Sequence, residues 1–386
     1  MRKKLALVLA SLCLIVLAAP VTGCPGGGEI KLGAVMDITG ALSGIGSQIR
    51  DGIKMAVQQI NDAGGINGKK VTLFVEDGQT DATAGYEAVK KLVEVNGCKV
   101  IIGPMISGAT LASGEYALQK KVLLISPSAT SVDIANQPFR QFVFRTVPSD
   151  NLQGTAMAQL VTEGNYKKVA ILVVNNSYGV AMANVISEKL AGKATVVATV
   201  QYDLTKLDYL TELQTIKDKA PDCVLHVGYG DDAKIVYKQA LQLGLGSAQW
   251  IASEGVYAEA TFSVAESGQF MSTSVIGTRP TAPEGLAAFT AFAAAYKAAF
   301  GIDPGVYCDG AFDAANLAFA AMKNVGTTDA AKIAAEVLKL AKNYPGASGS
   351  ITMASNGDRV SGDYEVWKVV KSGTTFSYAR VKVIKL

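Results

Sequence analysis

Short runs rich in β-branched residues alternate with amphipathic windows from Ile30 onward, and this rhythm restricts the chain to a narrow set of architectures. Lys31 to Val35, Val71 to Glu76, Lys99 to Ile102 and Val122 to Ile125 read as strands, with a helical window between each pair. The clearest window carries Ile49, Ile53, Ala56, Val57 and Ile60 at i, i+4, i+7, i+8 and i+11, one face of a helix. It stops at Gly64-Gly65, where glycine accepts the left-handed conformation that ends a helix. Beyond Phe142 to Pro148 the rhythm resumes with Lys168 to Val174, Thr195 to Tyr202, Cys223 to Val227 and Gln249 to Ala252. Strands joined by helical crossovers lie parallel, and parallel sheets must be covered on both faces by right-handed βαβ units. Two such series predict an α/β chain with two lobes of comparable size, which suits 386 residues with 49% hydrophobic composition. From Pro283 to Asn343 the pattern turns helical and Ala-rich, with Phe289, Phe292, Tyr296 and Phe300 on one face. The C-terminal segment reads as a hairpin: Tyr364 to Val370, a Lys371-Ser372-Gly373 turn, then Tyr378 to Ile384.

The N-terminus predicts export. Arg2, Lys3 and Lys4 precede an apolar or small run from Leu5 to Ala19, too short to span a bilayer. Val21-Thr22-Gly23-Cys24 resembles a bacterial lipobox, so residues 1–23 read as a lipoprotein signal peptide and Cys24 as the lipid anchor. Residues 24–29, with Pro25-Gly26-Gly27-Gly28, read as a tether, placing the protein on the periplasmic or outer side of a membrane. Three of the 36 basic residues fall in the signal, which leaves 33 against 33 acidic residues. A nucleic-acid binder shows a basic excess, and this balance argues against one. Beyond Cys13 and Cys24, the cysteines Cys98, Cys223 and Cys308 are widely spaced and lack metal-ligand spacing. They read as small buried hydrophobes, with one disulfide among them left open. No cofactor or metal is expected.

Open α/β sheets bind ligands beyond the carboxyl ends of their strands. There the chain places Gly103-Pro104-Met105-Ile106-Ser107, Ser126-Pro127-Ser128-Ala129-Thr130, Asn175-Asn176-Ser177-Tyr178-Gly179, Gly228-Tyr229-Gly230 and Ser253-Glu254-Gly255. Together they suggest an amino-acid site. Ser107, Thr130 and helix-start amides would hold an α-carboxylate, Glu254 the α-ammonium, and Tyr178 and Tyr229 would form walls. Taken singly, Ser107 and Thr130 also fit N-cap or turn roles, and Glu254 a solvated loop acid. His226, the one histidine, ends the apolar run Val224-Leu225-His226-Val227 and reads as structural. No GxSxG, GxxxxGK[ST] or HExxH motif is present, so a binding function is favoured over an enzyme.

Several stretches carry a family resemblance: Gly40-Ala41-Leu42-Ser43, Asn61 to Lys69, Ile102-Gly103-Pro104 with Ser107, Ile125-Ser126-Pro127 with Ala129-Thr130, and Ser253-Glu254-Gly255. From Ile30 to Leu386 the chain resembles the leucine/isoleucine/valine-binding proteins of ABC uptake systems, which are type 1 periplasmic binding proteins. The resemblance implies two Rossmann-like doubly wound lobes joined by a three-stranded hinge, 30–147 with 278–348 and 148–277 with 349–386. It implies a monomer that closes on a small amino acid, by default branched-chain, and delivers it to the membrane subunits of an ABC permease. It assigns Ser107 and Thr130 to the ligand carboxylate with backbone groups of Ser128 and Ala129, and Glu254 and Tyr229 to the ammonium, with Tyr178 in the opposite lobe. Ile45 stands where some relatives place an aromatic, which leaves side-chain preference open, and amides or aromatic carboxylates remain alternative ligands. A cysteine that some relatives pair in a disulfide has no counterpart near Ile106. Receptor ectodomains share the fold, so a sensory role through another protein is a further alternative.

Overall fold

Both strand-helix series close into sheets in the computed structural model, which describes residues 28–386; the signal segment and Cys24 lie outside the described residues. The first series runs β1 (Ile30–Met36), α1 (Ser43–Asp62), β2 (Val71–Asp77), α2 (Ala82–Glu94), β3 (Val100–Ile102), α3 (Ser107–Lys120), β4 (Leu123–Ser126) and β5 (Val143–Arg145). Its strands are all parallel, in the order β2-β1-β3-β4-β5. The second runs α4 (Asp150–Glu163), β6 (Lys168–Val174), α5 (Ser177–Leu190), β7 (Thr195–Tyr202), α6 (Leu210–Asp218), β8 (Cys223–Val227), α7 (Gly230–Gln242), β9 (Gln249–Ala252), α8 (Ala265–Ser274) and β10 (Val275–Thr281). These five strands repeat the order of the first sheet as β7-β6-β8-β9-β10, again parallel. In each sheet the order reverses between the first and third strands, the place at the carboxyl ends where open α/β sheets generally hold ligands.

The helical segment supplies α9 (Ala287–Phe300), α10 (Cys308–Val325) and α11 (Ala330–Leu340), followed by the small hairpin of β11 (Lys342–Gly346) and β12 (Gly349–Thr352). It packs on the first lobe: Tyr296 donates its hydroxyl to the Gln48 carbonyl at 2.9 Å, and a Cβ at Gly52 of α1 would meet the Cys308 carbonyl oxygen of α10 at 2.6 Å. The chain then returns to the second sheet, where β13 (Asp363–Ser372) pairs antiparallel with β10, and β14 (Thr375–Lys385) with β13. The hairpin loop is Gly373-Thr374, with Gly373 at φ 61; it begins two residues later than the sequence suggests because the ladder continues through Ser372 and Thr375.

Three segments therefore cross between the sheets: 146–149, 282–286 and 353–362. The first and third touch through a bridge between Pro148 and Arg359. β10 pairs in the second sheet to Thr281, and β12 pairs with β11 to Thr352. The second and third crossings thus begin after Thr281 and Thr352, where the backbone ladders end. Val143–Arg145, inside the Phe142 to Pro148 stretch that separates the two series, is a strand, and the sequence pattern does not mark β10. β5 has three residues, and Gly277 and Pro280 break the β pattern of β10, where Gly277 makes room for the Trp367 ring.

His226 is fully buried among Tyr202, Tyr237 and Trp250, its two ring nitrogens 3.1 and 2.9 Å from the Tyr202 and Tyr237 hydroxyls. Burial pushes its pKa down to about 3, so it is a neutral core residue. Cys98, Cys223 and Cys308 are buried and free, so no disulfide forms among them. Among the described residues no helix is long and apolar enough to cross a membrane.

Candidate functional site

A cavity with about 390 Å³ of empty space lies between the carboxyl ends of the two sheets. The first lobe contributes Leu42, Ile45, Met105, Ile106, Ser107, Ser128 and Thr130, the second Tyr178, Tyr229, Glu254 and Gly255, and the turn before α10 Val306 and Tyr307. Six of the seven residues proposed from sequence thus share one cavity. Ala129 does not line it: its N–H donates to Ser126 Oγ at 3.0 Å and its carbonyl accepts from Arg145, so both backbone groups face away.

One end of the cavity is a cradle of donors. α3 opens at Ser107 behind Ile106, whose side chain makes no cap, so the first-turn amides keep their hydrogen-bonding capacity. Ser107 is therefore the first helical residue rather than an N-cap. Its Oγ accepts from the Ser131 N–H at 3.2 Å, which leaves the hydroxyl proton free to donate. The Thr130 carbonyl accepts from the Asp150 N–H at 2.9 Å, while the Thr130 N–H has no partner among the described residues. Helix-start amides, two hydroxyls and a free backbone N–H suit a carboxylate.

The other end is acidic. Glu254 follows β9 and is only 4% exposed, with Oε2 accepting from the Tyr178 hydroxyl at 2.9 Å. Burial pushes its pKa up, against the stabilising pull of Tyr178 and its own amide. Tyr178 is set by the start of α5, where Asn176 Oδ1 accepts from the Tyr178 and Gly179 N–H groups, both at 3.0 Å. Asn176 Nδ2 also donates to the Tyr229 hydroxyl at 3.0 Å, and the two tyrosine rings lie parallel with centroids 6.0 Å apart. Behind Tyr229, its N–H donates to Asp232 at 3.1 Å, and Asp232 accepts from the Tyr202 hydroxyl. Burial raises the Asp232 carboxyl to about 7.

Sequence reasoning missed two polar residues. Asp150 opens α4 fully buried, with no hydrogen bond of ordinary geometry to either carboxylate oxygen among the described residues; burial first, and then the Glu254 charge, raise its pKa well above the usual range, against the pull of the nearby Thr130 hydroxyl and the Arg145 charge. Tyr307, at φ 67, lines the cavity with a buried hydroxyl close enough to Glu254 to help stabilise its carboxylate, though no hydrogen bond of ordinary geometry forms. The rule that led to Ser107 and Glu254 would have led to Asp150 had β5 been recognised, because Asp150 follows that strand's carboxyl end. Among the described residues no lysine or arginine lines the cavity, and no cluster of His, Cys, Asp and Glu is arranged to hold a metal.

A cleft at the switch points of two like-ordered sheets, with three crossings beneath it, is the architecture of a two-lobed binding protein. Residues 29–374 match the periplasmic binding protein family model, and the chain belongs to that family. It is similar to a Leu/Ile/Val-binding protein from Rhizobium johnstonii, 27% identical over 346 residues that cover 88% of this chain and 91% of the relative. Among solved structures it superposes on a leucine-binding protein from Thermotoga maritima with TM-score 0.83 and 25% identity, covering 92% of this chain and 98% of the other. A solute-binding protein from R. palustris in complex with benzoate superposes with TM-score 0.80 and 21% identity, covering 92% and 96%; at that identity the likeness is one of fold.

Proposed function

We propose that this protein is the lipid-anchored, extracytoplasmic substrate-binding component of an ABC uptake transporter, and that it takes a small aliphatic α-amino acid. The observation that carries the ligand class is the buried Glu254, with Asp150 behind it, in a cavity that no basic side chain lines. A ligand that brings only a negative charge, such as an aromatic carboxylate, would leave these acids uncompensated, whereas an α-ammonium pairs with Glu254. The donor cradle at Ser107 and Thr130 takes the α-carboxylate. Leu42, Ile45, Met105, Ile106 and Val306 give the rest of the cavity an aliphatic lining, which suits a branched-chain or other small apolar side chain.

On this reading the protein is a carrier and not an enzyme, and Cys24 tethers it where a permease meets the closed, loaded form. The crossings act as the hinge, as inter-lobe sites require. The experiment is a thermal-shift screen of the chain against the twenty amino acids, simple amides and benzoate. A ligand at a thousand times its dissociation constant adds about 4 kcal/mol, enough for a shift of several degrees. Response to aliphatic amino acids supports the proposal. Response to benzoate alone would discard the role given to Glu254. Small-angle scattering should show compaction on ligand saturation, and an unchanged radius would refute closure.

A further inference from the structure

Arg145 ends β5 with no exposed surface, immediately before the first crossing. Its guanidinium serves two partners. Nη1 donates to the Ala129 and Ser131 carbonyls at 3.1 and 2.8 Å, while Nε and Nη2 donate to the two oxygens of Asp358, each at 2.8 Å. Asp358 lies in the third crossing, where it also accepts from Arg140, and the Gly357 carbonyl accepts from the Arg145 N–H at 3.0 Å. A bidentate carboxylate fixes the plane of a guanidinium, and that plane fixes where the carbonyls it binds must point.

The consequence falls on the loop that follows β4. With the Thr130 carbonyl taken by the Asp150 N–H, three successive carbonyls, 129 to 131, are drawn away from the cavity. Thr130 is left with an N–H that has no partner among the described residues. A single carbonyl turned inward would set its negative end against a bound carboxylate.

We propose that Arg145, oriented by Asp358, is the positioning residue that turns the 129–131 loop donor-side toward the ligand carboxylate, and so joins carboxylate recognition to the third crossing. The proposal rests on the reading of the cavity as an α-amino acid site. The Asp358 carboxylate makes no hydrogen bond to a residue that lines the cavity; its side-chain partners are Arg145 and Arg140.

The test compares leucine with leucinamide, which keeps the ammonium and lacks the carboxylate, by titration calorimetry on the full chain. The wild type should prefer leucine. In Asp358→Asn and in Arg145→Lys the dissociation constant for leucine should rise about tenfold, the worth of one charged hydrogen bond, while that for leucinamide moves less than about threefold. A reduced melting temperature with an unchanged leucine-to-leucinamide ratio would mean that the pair supports the fold alone, and would overturn the proposal. A wild type that binds no amino acid, or does not distinguish the two probes, would refute the site reading itself and the proposal with it. Should Asp358→Asn not fold, Arg145→Lys, which keeps the buried charge, carries the comparison.

Discussion

Replacing Glu254 by glutamine separates charge from shape. The glutamine side chain would fill the same space and still accept, through its amide oxygen, from the Tyr178 hydroxyl that lies 2.9 Å from Glu254 Oε2. What disappears is the negative charge that an α-ammonium would meet in a site with almost no solvent access. Truncating one partner of a buried hydrogen-bonded charge pair costs about 2 to 5 kcal/mol, so the dissociation constant for leucine should rise at least ~30-fold. The ligand-free protein should respond in the opposite direction. There Glu254 is a carboxylate whose pKa is pushed up by burial, and its charge in turn raises Asp150. A carboxyl with a raised folded pKa contributes stability that is present below the usual carboxylate range and lost as pH rises through the raised value. Glutamine removes that loss, so the ligand-free variant should melt no lower than wild type at pH 7, and about 2 °C higher if roughly 1 kcal/mol of strain is relieved. Because the ammonium needs ionised Glu254, wild-type affinity should increase with pH through the same value, and the variant's should not. Calorimetry for affinity and scanning fluorimetry for melting, at pH 5 and pH 7, give all of these quantities. Unchanged affinity, or a fall of several degrees in the ligand-free variant, would refute the electrostatic account.

Tyr178→Phe removes a hydrogen bond to ionised Glu254, so the carboxyl pKa should move further up and the pH dependence of affinity should shift to higher pH. At pH 7 the loss should be about tenfold in calorimetry, and an unshifted profile would mean that Tyr178 is only a wall. Cys24→Ala should leave ligand response intact and move the protein from the membrane pellet to the soluble fraction, and continued pelleting would defeat the anchor. Gly52→Ala should lower the melting temperature by roughly 2 to 6 °C, because its Cβ would meet the Cys308 carbonyl oxygen at 2.6 Å and overpacking costs about 1 to 3 kcal/mol. A neutral outcome would show that α1 and α10 separate easily.

Regular elements were readable wherever one period ran unbroken. Lys168–Val174, Thr195–Tyr202, Cys223–Val227 and Gln249–Ala252 are strands with the bounds that their β-branched runs predict. Reading failed where tertiary structure makes the element. β5 is three residues held by β4, β10 tolerates Gly277 and Pro280 because Trp367 and β13 complete it, and β11 carries Lys, Asn, Pro and Gly with only β12 to pair. The strand-end rule reached Ser107, Thr130, Tyr178, Tyr229 and Glu254, since it needs only the strand before each loop. It could not say that the Ala129 carbonyl turns away from the cavity. That depends on Arg145 and Asp358, which are distant in sequence.

The two lobes repeat one strand order yet differ in chemistry, and the difference bears on how such a trap works. The first lobe offers neutral donors at helix starts, whose dipoles and hydroxyls remain satisfied by water when the cleft is open. The second brings Glu254, with Asp150 close by, and burying the Glu254 carboxylate without a cation is costly. On the proposed reading, closure over an empty cleft would carry an electrostatic penalty that closure over an α-amino acid would not, because the ammonium would meet Glu254 as water leaves. A ligand shifts an equilibrium only by its differential affinity for the two states. In this protein the acids of the second lobe would supply that difference, which makes occupancy, rather than the hinge alone, the condition for the closed form.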